Sequence, residues 1–276
     1  MNDTSSPSPG SSPDPGQSRG PSRSRLPLIA GVGFVGLIVI AVALWALFRS
    51  DAPAAVDLDA ATAELTDDGS GDAADSNGDA DSDADDSSGA VEVSGDWTVD
   101  TSIGEFSFEN STGTYVGFRI GEELTTVGVT EAVGRTPAVS GSITIDDEAV
   151  TAVNIEADMT AITTDISRRD GATRRALETD SFPTATFVLT ETIEVGIDPA
   201  SGQPFSGTAV GDLTVHGVTK SVEVAIEAQL VDDVIAIIGS TGVALADYGV
   251  TAPSAPVVAR IEEAGVIEFQ LFLAKS

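Results

Sequence analysis

The sequence feature that most constrains the fold is a pair of alternating segments within residues 206–230. A period of two places successive side chains on opposite faces of a strand, so each segment has one face to bury. Residues 216–219 separate the two segments and contain a glycine, which is typical of a hairpin turn. The region therefore predicts a β-hairpin whose buried face comprises Ala209, Gly211, Leu213, Val215, Val222, Val224, Ile226, Ala228 and Leu230.

Similar alternation recurs between residues 95 and 276. Further strands are predicted at residues 97–101, 105–108, 113–120, 138–145, 150–160, 184–195, 233–245 and 265–274. Strands at this spacing predict an all-β fold, a closed antiparallel barrel of about eight strands, because closure removes exposed sheet edges. A short helix is predicted at residues 170–177, with Asp170 as its N-cap. Residues 246–256 are predicted to be a loop, and residues 125–137 a mobile lid at the barrel mouth.

Three segments carry motifs that occur together in one known family. Residues 211–220 (GDLTVHGVTK) resemble a G-x-L-T-h-x-G-V-T-K/R hairpin, and residues 97–100 (WTVD) resemble a W-x-h-D opening. Residues 168–170 (RRD) and 181–187 (SFPTATF) resemble an R-D-x-x-L-x-x-x-x-F…P-x-h-x-F segment. In these motifs and in their order, the chain resembles the YceI-like family of secreted, lipocalin-like barrels. The resemblance implies a barrel that binds a polyisoprenoid lipid.

The N-terminal part of the chain has a different composition. Residues 1–25 are rich in Ser, Pro and Gly and are predicted to be a disordered tail. Residues 26–48 carry no charge, and their helical length of about 35 Å would cross a hydrocarbon core of about 30 Å. A cleaved signal peptide is the alternative to this transmembrane helix. Arginines before the helix and acids after it predict a cytoplasmic N-terminus and an extracytoplasmic C-terminal domain, attached to the cell membrane by a single pass.

Residues 49–94 are predicted to be a disordered acidic linker. Between residues 50 and 93 there are about fourteen acids and no Lys or Arg, so the charges cannot pair. A flexible chain of this length has an r.m.s. reach of about 35–40 Å. The linker is therefore expected to hold the barrel, residues 95–276, away from the membrane.

The interior of the predicted barrel is the candidate ligand site. A barrel of about eight strands either fills with its own side chains or holds one small ligand. Small inward residues favour a cavity over a filled core. The predicted apolar lining comprises Phe118, Ile143, Ile155, Phe187, Leu213, Val224, Ile226, Phe269 and Leu271.

Four arginines are the candidate head-group ligands. The barrel region has about 28 acids and nine bases, and four of these bases are Arg168, Arg169, Arg174 and Arg175. Such a cluster beside a helix N-terminus suits a pyrophosphate or a similar anion. In the alternative, these residues form local ion pairs, Asp170 with Arg174 and Arg174 with Glu178, at i,i+4 spacing.

The sequence shows no catalytic constellation. His216 is the only histidine and is predicted to be an outward hairpin residue, Lys220 a solvated charge, and Tyr248 a residue that packs over the barrel mouth. Neither a phosphate-binding glycine loop nor a metal-ligand spacing is present, and there is no cysteine, so no cofactor and no enzymatic activity are predicted. A net charge of about −19 on the barrel region disfavours nucleic acid as a partner.

Together with the resemblance, these patterns favour a membrane-anchored, extracytoplasmic barrel that binds a polyisoprenoid or a similar long-chain amphiphile. The alternative is a non-catalytic barrel with a filled interior that serves cell-envelope interaction or stress resistance.

Overall fold

A computed structural model of the chain describes residues 52–67, 92–126, 128–196, 199–253 and 256–276. All of them belong to the unit Phe48–Ser276. The predicted tail and the predicted transmembrane segment lie outside the described residues. In the described part of the chain, no helix is both long and apolar enough to span a bilayer.

Strands dominate the described residues. The strands are β1 (Gly95–Val99), β2 (Tyr115–Leu124), β3 (Gly128–Thr136), β4 (Val139–Asp146), β5 (Ala149–Asp158), β6 (Thr163–Thr164), β7 (Thr184–Leu189), β8 (Ile193–Glu194), β9 (Phe205–Val215), β10 (Val218–Val231), β11 (Val234–Ala244) and β12 (Val258–Lys275). The helices are α1 (Leu58–Asp67) and α2 (Ser167–Ala176), and short 3-10 turns occur at Met159–Ala161, Pro199–Ser201 and Leu245–Tyr248.

Eight of the strands form a closed antiparallel ring in the order β1-β4-β5-β7-β9-β10-β11-β12, because β1 pairs with both β4 and β12. Strands β2 and β3 extend the wall beyond β12, and the two-residue strand β6 pairs with β3. The predicted all-β, closed antiparallel barrel of about eight strands with a short helix is therefore confirmed.

The longest strand, β12, joins the two parts of this wall. One edge of β12 pairs with β11. Its other edge pairs with β2 through residues Val258 to Gln270 and then with β1 through Leu273 to Lys275. A single strand thus completes both the ring and its extension.

The central hairpin is present as predicted, with a tighter turn. Val215 pairs with Val218, so only His216 and Gly217 form the turn. Both have positive φ, 52° and 71°, as a type I′ turn requires. The strands therefore extend further towards the turn than the predicted loop of residues 216–219 allowed.

Three local predictions are wrong. Residues 105–108 form no strand. Residues 125–137, predicted to be a mobile lid, contain β3, which pairs with β2 along its length. The glycines suggested a loop, but Gly134 serves close packing, since a methyl group there would lie 2.4 Å from the Phe118 ring. Helix α2 begins at Ser167 rather than at Asp170, whose carboxylate instead accepts hydrogen bonds from the Thr164 amide and hydroxyl, both at 2.7 Å.

One end of the barrel is sealed by Trp97. Its side chain is fully buried, and its indole N–H donates to the Val93 carbonyl at 2.8 Å. The ring packs in a cluster of aliphatic residues from β4, β5, β11 and β12, among them Ile143, Ile235 and Leu273. Because the indole proton has a partner, the ring fills this end without leaving a buried donor unsatisfied.

The structure differs from the predicted disordered linker at residues 52–67, which we call the strap. Helix α1 of the strap packs against the outer face of the barrel. Leu58, Ala61 and Leu65 lie in one cluster with the outward residues of β11 and β12, which are Ala236, Ile238 and Phe272. Spacings of three and four residues place these strap side chains on one helix face, although the surrounding sequence is acidic. Packing against the barrel stabilises a helix that would be marginal alone.

Buried charges on the same outer face bind the extended part of the strap. The Ala54 carbonyl accepts hydrogen bonds from the guanidinium groups of Arg119, at 2.6 Å, and Arg135, at 2.9 Å. Glu268, only 1% exposed, pairs with the same two arginines at 2.6 and 3.1 Å. Glu131 pairs with Arg119 at 2.8 Å. Arg135 Nε is buried without a hydrogen-bond partner. The other guanidinium and carboxylate contacts join these charges to each other and to the strap, so they have a structural role.

The first prediction concerns the strap. Leu58→Asp places a charge in the buried cluster and should lower the free energy of unfolding of the full chain by about 3 kcal/mol. Ala60→Asp introduces the same charge on the exposed face of α1 and should lower the free energy of unfolding by less than about 0.5 kcal/mol. Denaturant titration of both variants provides the measurement. An equal, small effect of the two substitutions would contradict docking of the strap.

The second prediction concerns Tyr115, whose ring lies under the guanidinium group of Arg135, with 4.3 Å between the ring centroid and Cζ. Burial raises the pKa of Tyr115 to about 12. Because the folded pKa exceeds the unfolded pKa of 10.0, the stability that this group contributes is complete below pH 10 and is lost as the pH rises through 12. Phenolate absorbance of the folded chain should show a step near pH 12 that Tyr115→Phe removes and Tyr248→Phe retains. A Tyr115 step at pH 10 would contradict this.

Candidate functional site

The two ends of the barrel differ in how they are closed. The end occupied by Trp97 also contains the β10–β11 and β4–β5 turns. The opposite end, the mouth, contains the connections β2–β3, β9–β10 and β11–β12 and the segment between β5 and β7 that includes α2. The strand ends therefore place α2 at the mouth.

The middle of the barrel is lined by apolar side chains that remain partly accessible to solvent. On β10, Val222 and Ile226 point inward and are half-buried, while the alternate residues Glu223, Ala225 and Glu227 are exposed. Inward side chains of other strands of the ring are also half-buried; they include Val153, Phe187, Phe205, Ile237, Ile267 and Phe269. Inward side chains in a filled barrel would be buried, so this pattern indicates an open interior.

Phenylalanine rings lie against the wall of the barrel, over glycines of the same sheet. A methyl group on Gly211 would lie 2.4 Å from the Phe187 ring, and one on Gly239 would lie 2.4 Å from the Phe269 ring. Phe118 lies over Gly134 in the same way. Because these glycines have no side chain, the rings cover the wall instead of projecting across the interior, which preserves open space.

All nine predicted lining residues lie on the inward face. Ile143, Ile155 and Leu271 belong to the Trp97 cluster and help to seal the closed end. Val224, Phe187 and Ile226 belong to a second cluster nearer the middle. Phe269 contacts both clusters, Leu213 is buried opposite Phe187, and Phe118 lies near the mouth. The structure thus divides the predicted set into residues that close the barrel and residues that line its accessible part.

Helix α2 lies on the inward side of the β2–β3 extension. Glu122 is on the same face of β2 as the inward residues Phe118 and Ile120, and it is buried. Its carboxylate pairs with the guanidinium group of Arg169 on α2 at 2.6 Å. Because Arg169 reaches an inward carboxylate, α2 extends over the mouth.

Polar contacts dominate the attachment of α2. Arg169 also pairs with Asp165 at 2.7 Å, and Arg174 donates to the Ile162 carbonyl at 3.3 Å. The helix sequence, SRRDGATRRA, contains no large apolar residue and has a glycine at position 171. A helix with few apolar contacts opens at a low free-energy cost compared with the strands of the core. Helix α2 is therefore suited to be a movable cover.

The four predicted head-group arginines are not equivalent in the structure. Arg169 and Arg174 are half-buried and bound to the protein's own groups, whereas Arg168 and Arg175 are exposed at the mouth. The predicted pairs Asp170–Arg174 and Arg174–Glu178 are replaced, since Asp170 binds Thr164 and Arg174 binds Ile162. An i,i+4 pair is formed instead by Asp165 and Arg169.

Glu122 is the functional candidate that sequence reasoning missed. Burial, as the largest cause, raises the pKa of Glu122 above its usual value, and the Arg169 charge opposes this shift. The buried position at the mouth thus disfavours the charged form of this carboxylate, and the ion pair with Arg169 partly compensates. The alternation in β2 placed Glu122 on the inward face, but only the fold brought it to Arg169.

His216 and Tyr248 anchor the central hairpin at the mouth. The His216 Nδ1 atom lies 2.9 Å from the Tyr248 carbonyl oxygen, and its ring meets the Phe182 ring edge-on with centroids 4.8 Å apart. Its Nε2 atom is 3.7 Å from a Glu178 carboxylate oxygen. Tyr248 is buried and Lys220 is exposed. Nowhere in the described ranges do three potential metal-ligating side chains converge.

Comparison with solved structures identifies several similar barrels. A polyisoprenoid binding domain from Saccharophagus degradans, implicated in plant cell wall breakdown, is 18% identical, with 65% of this chain and 98% of that chain covered and a TM-score of 0.49. BcnA from Burkholderia cenocepacia is 17% identical, with 58% and 95% covered and a TM-score of 0.44. A YCEI protein from Campylobacter jejuni is 16% identical, with 52% and 84% covered and a TM-score of 0.43.

The family assignment rests on the sequence. A comparison with curated proteins finds no match. The family model of the YceI-like domain matches residues 97–273, from Trp97 in β1 to Leu273 near the end of β12. This match covers more than half of the chain and includes all eight strands of the ring, and the chain therefore belongs to the YceI-like family.

Proposed function

We propose that the barrel binds a long-chain amphiphile, a polyisoprenoid or a similar lipid, with its apolar chain in the interior. The observation that carries this proposal is the set of inward apolar residues, such as Val222 and Ile226, that are only half-buried in the middle of the barrel. Family membership supports the proposal, since a polyisoprenoid binding domain from Saccharophagus degradans is among the similar structures. The sealed end at Trp97 would stop the chain, and the mouth would hold the head group.

The energetics favour exchange with a membrane. Burying the lipid chain is worth about 0.8 kcal/mol per CH₂ relative to water, but nearly all of this cancels relative to a bilayer. The interior therefore needs to be only as apolar as the bilayer. The contacts of the head group then decide whether the lipid prefers the barrel or the membrane. The exposed residues Arg168 and Arg175 are the part of the predicted anion site that remains available for a phosphate-bearing head group.

Membrane attachment completes the proposal. Residues 26–48 act as a single transmembrane anchor, with the N-terminus in the cytoplasm and the barrel on the extracytoplasmic side. The barrel works as a carrier without catalysis, since the contacts of His216 serve to hold the hairpin.

The third prediction tests the lipid and the open interior together. Ala228 points inward and is half-buried, while Ala225 on the same strand is exposed. If the interior is open, Ala228→Trp should fill the space and remove co-purified lipid, and its melting temperature should equal that of the lipid-free wild-type chain, because only the stabilisation by bound lipid is lost. In a filled barrel the same substitution would overpack the core and cost about 1–3 kcal/mol.

The measurement is organic extraction of the purified full chain, followed by mass spectrometry, with the melting temperature recorded in parallel. We expect about one lipid per wild-type chain and per Ala225→Trp chain, and little lipid with Ala228→Trp. A wild-type chain that carries no lipid, and whose melting temperature does not respond to added isoprenoids, would reject the carrier function and favour the filled barrel.

The fourth prediction concerns α2 as a movable cover. Glu122→Gln removes the ion pair with Arg169, whereas Glu123→Gln changes the adjacent, exposed carboxylate and serves as the control. Glu122→Gln should destabilise the state in which α2 covers the mouth by about 1.4 kcal/mol, which corresponds to an about tenfold faster release of lipid. Glu123→Gln should leave the release rate unchanged. Release of a fluorescent isoprenoid to acceptor vesicles measures this rate. Equal rates for the two variants would show that α2 does not control the mouth.

A further inference from the structure

The docked strap changes how much of the chain is free between the predicted transmembrane segment and the barrel. The sequence predicts that residues 49–94 form one long linker that keeps the barrel away from the membrane. In the structure, residues 52–67 of this linker lie on the outer face of the barrel. Only residues 49–51 separate the strap from the last residue of the predicted segment, Phe48. The free connection is therefore much shorter than the sequence indicates.

The start of the strap is fixed to the barrel by strong contacts. Pro53 is buried. The carbonyl oxygen of Ala54 accepts hydrogen bonds from Arg119 at 2.6 Å and from Arg135 at 2.9 Å. Hydrogen bonds from charged donors are stronger than those between neutral groups. Both guanidinium groups are themselves held by Glu268, at 2.6 and 3.1 Å, so they form a fixed point on the outer face of the barrel.

Helix α1 holds the rest of the strap. The carboxylate of Asp57 accepts a hydrogen bond from the Ala60 amide at 2.9 Å, which caps the first turn of the helix. Leu58 and Ala61 are buried against the outward side chain of Phe272. The cap fixes where the helix begins, and the apolar face fixes which side of it contacts the barrel. The strap is thus attached both at its first residues and along its helix.

The chain before Ala54 limits how far the barrel can be from the membrane. Five residues, 49–53, connect Phe48 to Ala54, and even fully extended this connection spans only about 20 Å. A flexible chain of residues 49–94, by comparison, has an r.m.s. reach of about 35–40 Å and a far larger maximum. If residues 26–48 cross the bilayer, a barrel with a docked strap stays close to the surface of that bilayer.

Charge does not supply this proximity. The barrel region has about 28 acids and nine bases, a net charge of about −19, which an anionic surface repels. With a long tether, this repulsion would favour positions of the barrel away from the membrane. A short tether makes those positions inaccessible.

We propose that the docked strap shortens the tether from residues 49–94 to residues 49–53 and so holds the barrel at the surface of the bilayer that carries its anchor. This inference rests on the proposed membrane anchor and deepens the proposed carrier function. The barrel exchanges lipid with its own membrane rather than with a distant one, because a short tether raises the effective concentration of that membrane.

The test lengthens the chain on either side of the strap. A Gly-Ser segment of about 40 residues, with an r.m.s. reach of about 35 Å, is inserted between Ser50 and Asp51 in one variant and between Asp68 and Gly69 in the other. The two variants therefore have the same length and composition. Each full chain is reconstituted into vesicles of phosphatidylcholine and phosphatidylglycerol.

Energy transfer reports the distance between the barrel and the bilayer. A donor fluorophore is attached at Val129→Cys, because the chain has no native cysteine and Val129 is 85% exposed. Acceptor fluorophores are attached to the lipid head groups.

Only the insertion before the strap lengthens the tether when the strap is docked. We therefore expect this insertion to remove most of the energy transfer, and the insertion after the strap to leave the transfer at the wild-type level. Equal losses in the two variants would show that the strap is free in the anchored chain and would overturn the inference. Unchanged transfer in both variants would also overturn it, because the barrel would then be held at the bilayer by contacts of its own.

Release of the strap provides a second measurement. The double variant Pro53→Asp/Leu58→Asp places two charges at buried positions of the strap and should lose as much energy transfer as the chain with the insertion before the strap. Ala55→Asp/Ala60→Asp adds the same charges at exposed positions and should retain the transfer. Equal transfer in the two double variants would contradict a tether shortened by docking.

Failure of this inference can be distinguished from failure of the carrier function. Lipid content after organic extraction measures the carrier function and should be the same in the two insertion variants. A wild-type chain that contains no lipid, but whose insertion variants differ as expected, overturns the carrier function and supports the short tether. A wild-type chain that does not float with the vesicles overturns the proposed anchor and this inference together.

Discussion

The structure depends on the closure of the sheet through β12. This strand pairs with β11 on one edge, from Ala264 to Ala274, and with β2 and then β1 on the other, so it links every part of the wall. An open sheet of this size would expose unpaired edges. Closure also fixes which side chains point inward, and it leaves the outward residues Ala236, Ile238 and Phe272 for the strap to cover.

Different interactions hold the two ends of the barrel. At the closed end, Trp97 and its aliphatic neighbours form a tightly packed cluster. At the mouth, α2 is attached by ion pairs and hydrogen bonds, mainly through Arg169 and Glu122. Apolar packing gives the first end rigidity, whereas the polar contacts of the second exchange readily for contacts with water. The proposed lipid carriage would use this asymmetry, because a lipid chain must be retained at one end and admitted at the other.

The outer face shows how an acidic segment becomes ordered. Residues 52–67 lie upstream of the family match, in a region whose composition predicts disorder. Three apolar residues on one face of α1 and one carbonyl group held by Arg119 and Arg135 are enough to dock the strap. Composition is an average over the whole acidic region, so it did not predict that a few apolar residues would lie on one face of α1.

The sequence by itself determined the all-β barrel, the central hairpin and the nine inward residues, because strand alternation is a local property that each segment carries. Only the tertiary structure decided the pairing of Glu122 with Arg169, the docking of the strap and the pairing of β3 with β2. These contacts join residues far apart in the chain. Alternation predicts which face of a strand a side chain is on, but not which residue it will contact there. The physical reason is that register and closure of the sheet, rather than local propensity, choose those neighbours.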